Sequence, residues 1–227
     1  MFDNIAPAYD FMNRAMTLGI DRHWRRAVVR EAAAAAQSLP APAILDVATG
    51  TGDLSIALAR AIPGAAVTGV DLSEGMLAVG RRKVADASLS SRIELRQADC
   101  LRLPFPNASC DVVTVAFGVR NFENLRKGYA EMQRVLRPGG RLIVLELSVP
   151  PYPLVRPFYH LYPRGVIPLL GRIVSADRSA YSYLPASLAA MPQGTDMLAL
   201  MREAGLPEAR LKRFTLGVAT MYVGTKF

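Results

Sequence analysis

Three observations predict an α/β fold in which a mostly parallel sheet is flanked by helices. Short apolar runs such as Ala43–Val47 and Ala66–Val70 alternate with helical segments along the chain. A glycine turn, Gly50-x-Gly52, follows the first run and opens a helix. The last two β-type runs are joined by only Thr215–Ala219, which favours an antiparallel hairpin at the sheet edge.

The elements follow one another without an internal repeat. Residues 1–37 have a helical pattern that ends in the alanine run Ala32–Ala36 and is stopped near Pro40. Ser73 is a typical N-cap, and Arg137–Gly140 is a helix stop followed by a turn. The remaining predicted helices are Leu54–Ala61, Ser73–Val84, Glu123–Leu136 and Thr195–Ala204, and the remaining strands are Arg92–Arg96, Asp111–Phe117, Arg141–Leu147, Ala209–Phe214 and Thr220–Thr225.

Composition indicates one globular domain of a reducing compartment. The chain has 227 residues, of which 51% are hydrophobic and 20% charged. It contains no apolar run of about 18 residues and no signal-peptide pattern in its first thirty residues, and its two cysteines fit a cytoplasmic location. Two histidines make a histidine-based metal site improbable, and we expect no metal. The 27 basic and 19 acidic residues give a net charge of +8, which fits nucleic acid, anionic lipid, an anionic ligand or plain solubility.

One stretch departs from the alternating pattern. Residues 150–192 hold 8 of the 16 prolines and 5 of the 8 tyrosines, with four arginines and a single acid, Asp177. This composition predicts a cap over an apolar substrate, although a packed connection would fit as well. The single domain is therefore divided into an N-terminal helical segment (1–40), a cofactor-binding core (41–147), the cap (148–192) and a C-terminal helix with edge strands (193–227).

The glycine turn departs from a dinucleotide site at two places. Ser55 stands where the third glycine is expected, and Asp53 at the helix start would repel a pyrophosphate. Asp71 follows Gly52 by 71 − 52 = 19 positions, the spacing at which a carboxylate reaches a nucleoside ribose. The turn therefore indicates a nucleoside ligand without phosphates.

Acids at four strand ends and turns indicate the charge of that ligand. Asp46, Asp53, Asp71 and Asp99 are predicted to form an acidic ring around it, inside a basic protein. S-adenosylmethionine is a phosphate-free nucleoside that is cationic at sulfur, so we expect it as the cofactor.

Several longer motifs carry a resemblance to a known family. They include Leu45–Asp53, Gly69–Leu77, Ala98-Asp99 and the segment Phe117-Gly118-Val119-Arg120-Asn121. Together with Met1–Asp10 and Ala180–Ser187 they span nearly the whole chain, which resembles the ubiquinone/menaquinone biosynthesis C-methyltransferases within the class I S-adenosylmethionine-dependent methyltransferases. The resemblance implies a Rossmann-like fold with a seven-stranded sheet.

The resemblance also implies cofactor contacts. It implies them at Thr51, Asp71, Asp99 and Cys100, the last through its backbone because family members usually carry alanine there. Ala116 stands where some members have serine, so a side-chain hydrogen bond is lost. The full set expected at the cofactor is Asp46, Gly50, Thr51, Gly52, Asp71, Leu72, Met76, Asp99, Cys100 and Ala116.

The family's acceptors are polyprenylated benzoquinols or naphthoquinols. The chain end, Ala219–Lys226, is more similar to menaquinone-type members, so demethylmenaquinol is the favoured acceptor and the benzoquinol of ubiquinone synthesis the alternative. Arg120 is expected to stabilise phenolate charge and Asn121 to hold a quinol oxygen, because both follow the fourth strand at the ligand-binding edge. Tyr9 and Asp53 are expected to complete the polar end of the catalytic site.

Partners follow from the acceptor's prenyl tail. We expect peripheral contact with the inner face of the membrane through Tyr152–Arg178, no nucleic acid, and a homodimer as an open alternative to a monomer. Three other interpretations remain: an NAD-dependent oxidoreductase, disfavoured by Ser55 and Asp53; a nucleic-acid methyltransferase, which lacks its catalytic tetrapeptide here; and a non-catalytic binding protein.

Overall fold

A twisted sheet of seven strands is the framework of the molecule. The computed structural model describes residues 10, 13–14, 17–153, 187–188 and 190–227. The strands are β1 Ala43–Val47, β2 Ala66–Asp71, β3 Ile93–Gln97, β4 Cys110–Ala116, β5 Leu136–Leu147, β6 Arg210–Phe214 and β7 Ala219–Thr225.

Helices connect these strands and cover both faces of the sheet. They are α1 Asp21–Ala36, α2 Asp53–Ala61, α3 Glu74–Asp86, α4 Leu125–Val135 and α5 Thr195–Glu203, with short 3₁₀ turns at Val119–Asn121 and Thr215–Gly217. Two apolar clusters fill the space between sheet and helices, one around Trp24 and Leu58 and the other around Tyr129 and Met197. The predicted α/β class is thus confirmed.

The strand order is β3-β2-β1-β4-β5-β7-β6. The first five strands pair in parallel, and β7 runs antiparallel between β5 and β6. The predicted edge hairpin is therefore present, with Ala219 paired to both Leu147 and Phe214. Because β1, β2 and β4 are adjacent and parallel, the turns after their carboxyl ends meet at one edge of the sheet, where open α/β sheets bind ligands.

Two local predictions need correction. The turn predicted at Arg137–Gly140 is part of β5, since the pairing with β4 jumps from Leu136 opposite Cys110 to Arg141 opposite Val112. Gly139 absorbs this bulge with φ +79°, and its N–H donates to the Lys226 carbonyl at 2.7 Å. The N-terminal helical pattern is interrupted by a turn at residues 18–20 before α1 begins.

Capping explains where two helices begin. The Ser73 hydroxyl accepts the Met76 N–H at 3.2 Å, which confirms the predicted N-cap of α3. Asn124 caps α4 in the same way, accepting the Lys127 N–H at 3.0 Å. Across the described residues, none of these helices is both long and apolar enough to span a bilayer.

Candidate active site

A cavity of about 410 Å³ lies at the carboxyl edge of the parallel strands. Its walls come from the turn after β1, the end of β2, the loop after β3 and the segment after β4. Eight of the residues predicted for the site line it: Gly50, Asp71, Leu72, Met76, Asp99, Cys100, Ala116 and Asn121. The sequence prediction of these eight neighbours therefore agrees with the geometry, while their contact with a cofactor stays a prediction.

Asp71 organises the floor of this cavity. Its Oδ2 accepts the Gly50 N–H at 2.8 Å, and its Oδ1 accepts the Ser73 N–H at 2.9 Å. The carboxylate therefore ties the glycine turn after β1 to the start of α3. It still lines the cavity from the end of β2.

Asp46 lies beneath the turn and is 1% exposed. Its Oδ2 accepts hydroxyl hydrogens from Thr49 and Ser55, both at 2.7 Å, and its Oδ1 accepts that of Thr114 at 2.8 Å. Burial raises the pKa of Asp46, and these hydroxyl groups offset only part of the rise. Ser55, at the place of the missing third glycine, therefore fastens the helix to β1 by a hydrogen bond.

Asp53 at the start of α2 is neutralised by two cations. Its carboxylate is ion-paired with Lys83 of α3, and Arg25 of α1 lies 3.7 Å away. Burial raises the pKa of Asp53, but the hydrogen bond and charge of Lys83, together with Arg25, outweigh it and hold the pKa below its usual value. The four acids predicted to surround the ligand divide between two adjoining cavities: Asp71 and Asp99 line the large one, and Asp46 and Asp53 line a side cavity of about 30 Å³.

Thr51 and Gly52 lie on the far side of the turn. The Thr51 hydroxyl donates to Asp10 Oδ1 at 2.6 Å and accepts from Lys83 Nζ at 3.1 Å, and Lys83 also donates to Asp10 Oδ2 at 2.7 Å. Gly52 has φ +78°, and a Cβ there would meet a Leu95 methyl at 3.4 Å. Lys83 thus links the turn to the N-terminal segment by hydrogen bonds to Thr51 and Asp10. The sequence pattern did not predict a role for Lys83.

The described lining of the large cavity is acidic and apolar. It includes Asp71, Asp99 and Glu123 and no lysine or arginine. Asp99 accepts the Leu101 N–H at 2.8 Å, which fixes the loop after β3. Burial, aided by the charge of Asp99, raises the pKa of Cys100 to about 12, so this thiol stays protonated and unreactive near neutral pH.

Arg120 and Asn121 lie in the 3₁₀ turn after β4. Asn121 lines the cavity. Arg120 does not belong to the described lining of the cavity; its side chain is 13% exposed, and its Nη1 donates to Glu146 Oε1 at 2.5 Å. Glu146 was not predicted, although a single acid within the apolar run Arg141–Leu147 could have drawn attention to it.

Aromatic side chains form the wall beside Asn121. Phe117 and Phe122 line the cavity, and the Trp24 ring centroid lies 6.3 Å from that of Phe117. Phe117 has φ +60°, a backbone conformation that non-glycine residues rarely adopt and that is concentrated at functional sites. Such a wall suits an aromatic ring better than a polar ligand.

Some predicted features cannot be placed. Tyr9, the arginines of the cap and nearly all of Tyr152–Arg178 lie outside the described residues. Within the described ranges, no cluster of three or more His, Cys, Asp or Glu side chains is arranged to hold a metal ion.

Comparison with known proteins decides the family. The model of the ubiE/COQ5 methyltransferase family matches residues 1–226. The chain belongs to this family. Among the members it resembles, a Porphyromonas gingivalis protein named demethylmenaquinone methyltransferase is 47% identical over 227 residues, covering 100% of this chain and 91% of that protein.

Two further relatives carry names of the same kind. A demethylmenaquinone methyltransferase of Bacteroides fragilis is 44% identical over 226 residues, covering 100% of this chain and 91% of that protein. A ubiquinone/menaquinone biosynthesis C-methyltransferase of Geotalea daltonii is 43% identical over 227 residues, covering 100% and 94%.

Solved structures show that the fold is that of class I methyltransferases. A putative S-adenosylmethionine-dependent methyltransferase from Methanococcus maripaludis superposes with a TM-score of 0.72 at 16% identity, covering 100% of this chain and 94% of that one. The Haemonchus contortus phosphoethanolamine N-methyltransferase 2, solved with S-adenosylhomocysteine, gives a TM-score of 0.61 at 15% identity, covering 82% and 49%. The predicted Rossmann-like class is confirmed.

Proposed function

We propose that this protein transfers a methyl group from S-adenosylmethionine to a ring carbon of a prenylated quinol. The observation that carries the proposal is the lining of the large cavity, which includes Gly50 and Asp71 of the glycine turn region as well as Phe117, Asn121 and Phe122. One cavity therefore offers contacts for both a nucleoside donor and a quinol ring. Membership in a methyltransferase family supports the same reaction class.

The residues of the cavity fit this cofactor. Asp71 would accept hydrogen bonds from the ribose hydroxyls, and the apolar side chains of Leu72 and Met76 would flank the adenine. Asp99 would accept a hydrogen bond from the amino group of the adenine or from the ribose. The described lining of the cavity contains acidic side chains and no lysine or arginine. This negative charge suits a sulfonium ligand and disfavours a phosphate. Asp46 would act through the turn, by holding Thr49 and Ser55 in place.

S-adenosylmethionine supplies an activated methyl group on a sulfonium, which departs as a neutral thioether. The protein must then make the quinol carbon nucleophilic and hold it in line with the methyl group, about 3–3.5 Å away. Asn121 would donate a hydrogen bond to one quinol oxygen. Arg120 would stabilise the phenolate that forms when the quinol hydroxyl loses its proton to water, because arginine stays cationic at any working pH. The sulfur–methyl bond breaks as the ring carbon takes the methyl group, and the hydrogen on that carbon then moves through water to the quinol oxygen, so one proton is released overall.

The acceptor that we favour is demethylmenaquinol. Relatives at 44% and 47% identity bear that substrate in their names. The Geotalea daltonii relative, at 43%, is named for both quinone types, so the corresponding prenylated benzoquinol is the second candidate. A bicyclic ring also has the larger flat face to lie on Phe117 and Phe122.

The test is a direct assay with both acceptors. The purified protein is incubated with S-adenosylmethionine and either reduced demethylmenaquinone or the benzoquinol, and the products are identified by mass and by the position of the new methyl group. We expect a C-methylated naphthoquinol as the faster product. Methylation on oxygen, or of neither ring, would refute the proposal.

The prenyl tail of either acceptor lies in a bilayer, so we infer a peripheral membrane contact near the cavity. Leu18 and Leu216 are 73% and 65% exposed, and both are held at positive φ, +51° and +54°. Leu18 precedes α1, whose Trp24 packs on Phe117 and donates to Thr215 Oγ1 at 3.0 Å. Two exposed leucines at the substrate edge, with the exposed cations Arg14 and Arg22 nearby in sequence, suit an anionic lipid surface.

The location of the protein, its oligomeric state and its lack of nucleic-acid binding remain predictions. A cytoplasmic location and the lack of nucleic-acid binding are expected from the sequence, and a homodimer stays an open alternative to a monomer. Sedimentation would give the oligomeric state, and salt-dependent retention on DNA or RNA would contradict the last of these expectations.

A further inference from the structure

Glu146 near the end of β5 has a fully buried side chain, with an exposed fraction of 0%. It continues the face of β5 that carries Leu142 and Val144, both part of an apolar cluster. A carboxylate at the end of such a face needs compensation by hydrogen bonds and opposite charge. The hydrogen bonds of Glu146 therefore indicate its role in the structure.

The carboxylate of Glu146 binds three N–H groups. Oε1 accepts from Arg120 Nη1 at 2.5 Å and from the Leu147 N–H at 2.9 Å, and Oε2 accepts from the Arg120 N–H at 3.4 Å. Two of these contacts reach Arg120, one at its backbone and one at its guanidinium. Glu146 therefore restrains both the start of the 3₁₀ turn and the direction of the arginine side chain.

That turn also carries a cavity residue. Asn121 follows Arg120 directly, and the Asn121 N–H donates to the Gly118 carbonyl at 3.0 Å, which closes the turn beside the cavity. Restraint at Arg120 is thus passed to Asn121 through one peptide unit. The two residues proposed to bind quinol oxygens depend on the same buried carboxylate.

Stability alone is a weak reason for such a pair. A buried ion pair loses hydration on both partners, and apolar residues of similar volume often stabilise a fold as well or better. An arginine that is held at both its backbone and its guanidinium has a more specific side-chain orientation than one without such contacts. We propose that Glu146 is a positioning residue, which holds Arg120 and the Val119–Asn121 turn in the geometry needed to bind the quinolate.

This inference rests on the proposed function, and two substitutions separate charge from reach. Glu146→Gln keeps the size and removes the charge, whereas Glu146→Asp keeps the charge and shortens the side chain by one methylene. We expect both to lower kcat by about ten- to a hundredfold, since small misplacements of binding groups have effects of this size. The Kd for S-adenosylmethionine should stay within about twofold, because the Asp71 contacts lie elsewhere.

A double-mutant cycle with Arg120→Ala is the deciding experiment. If Glu146 acts through Arg120, adding Glu146→Gln to Arg120→Ala causes no further loss of kcat. If the losses multiply, Glu146 has a separate structural role and the inference is overturned. Asp111→Asn is the matched control, because it breaks the ion pair with Arg137 at the opposite end of β4 and should leave kcat unchanged.

A second measurement does not need the acceptor. The side-chain N–H signals of Arg120, assigned in NMR spectra by their loss in Arg120→Ala, should shift and exchange faster with water in Glu146→Gln, or in Glu146→Asp if the former does not fold. Unchanged signals would overturn the inference. If the wild-type protein methylates neither quinol, the proposed function fails, and this measurement still decides whether Glu146 orients Arg120.

Discussion

Asp71 and Arg120 are assigned to different partners, so their removal should have separable effects. Asp71→Ala removes the acceptor of the Gly50 and Ser73 N–H groups, as well as the proposed contact with the ribose. We expect it to weaken S-adenosylmethionine binding by about tenfold or more, as loss of a charged hydrogen-bond partner does. Arg120→Ala should leave that affinity within about twofold and lower kcat at least about tenfold.

Calorimetric titration and steady-state kinetics on the same preparations measure the two effects. An unchanged affinity in Asp71→Ala would remove the ribose assignment. Full activity in Arg120→Ala would remove the electrostatic role of the arginine.

Asp46 contributes to stability through three buried hydroxyl groups. Asp46→Ala leaves Thr49, Ser55 and Thr114 without their acceptor, and we expect it to lower the free energy of unfolding by about 2–4 kcal/mol. Asp46→Asn keeps the shape and should lower it less. Chemical denaturation measures both, and equal losses in the two variants would contradict this account.

The pH dependence of that comparison has a defined sign. Because burial raises the pKa of Asp46 above 3.8, protonation stabilises the folded state at pH values below the unfolded pKa. The wild-type protein loses this contribution as pH rises through the folded pKa, and Asp46→Asn, which cannot ionise, does not. The free energy of unfolding of Asp46→Asn should therefore rise relative to that of the wild-type protein as pH rises.

At the level of elements, α3 packs closely against the glycine turn after β1 at Gly80, which has no side chain. A Cβ added at Gly80 would lie 2.7 Å from Leu95 Cδ1 and 3.2 Å from the Thr51 backbone. Alanine normally stabilises a helix interior by up to about 1 kcal/mol relative to glycine. We expect Gly80→Ala to destabilise the protein and to weaken cofactor binding instead, and a raised melting temperature with normal affinity would contradict the close packing.

The N-terminal segment is coupled to the turn through Lys83. Because Lys83 contacts Asp10, Thr51 and Asp53, we expect Lys83→Met and Asp10→Asn each to weaken S-adenosylmethionine binding. In the double mutant the two effects should be non-additive by about 1–2 kcal/mol, since the residues share a contact. Strict additivity in titrations of the four proteins would show that Asp10 does not act through Lys83.

Particular elements show what sequence could and could not predict. The glycine turn, the strands around it and the Ser73 cap were found because their signals lie within a few neighbouring residues. The bulge at Arg137–Gly140 was missed, because local turn chemistry does not reveal that β4 pairs with Leu136 and Arg141 on either side of it and that Lys226 hydrogen-bonds to Gly139 and Gly140.

The same limit applies to the site. Asp71 is recognisable by its spacing from Gly52, and Arg120 and Asn121 by a family motif. Lys83 and Glu146 meet their partners only through the fold, across 73 and 26 positions of the chain. Asp53 was given a free negative charge in the sequence prediction, because its cations on α1 and α3 could not be seen there.

At the scale of the whole molecule, the exposed side chains of Leu18 and Leu216 predict a membrane orientation. We expect Leu18→Ser combined with Leu216→Ser to lower binding to vesicles containing phosphatidylglycerol by at least about tenfold, since each buried leucine contributes about 1.5–3 kcal/mol. Leu39→Ser is the matched control, because Leu39 is 37% exposed and precedes β1 at the opposite edge of the sheet. Equal loss in flotation assays for both sets would refute this orientation.

The central claim is that C-methylation of a prenylated quinol takes place in the large cavity at the carboxyl edge of the sheet. The most direct measurement uses S-adenosylmethionine with a trideuterated methyl group and reduced demethylmenaquinone, followed by mass and NMR analysis of the product. The account predicts a menaquinol in which one ring hydrogen is replaced by an intact trideuteromethyl group, formed by the wild-type protein and strongly reduced in Arg120→Ala. A product labelled on oxygen, or equal labelling by Arg120→Ala, would contradict it.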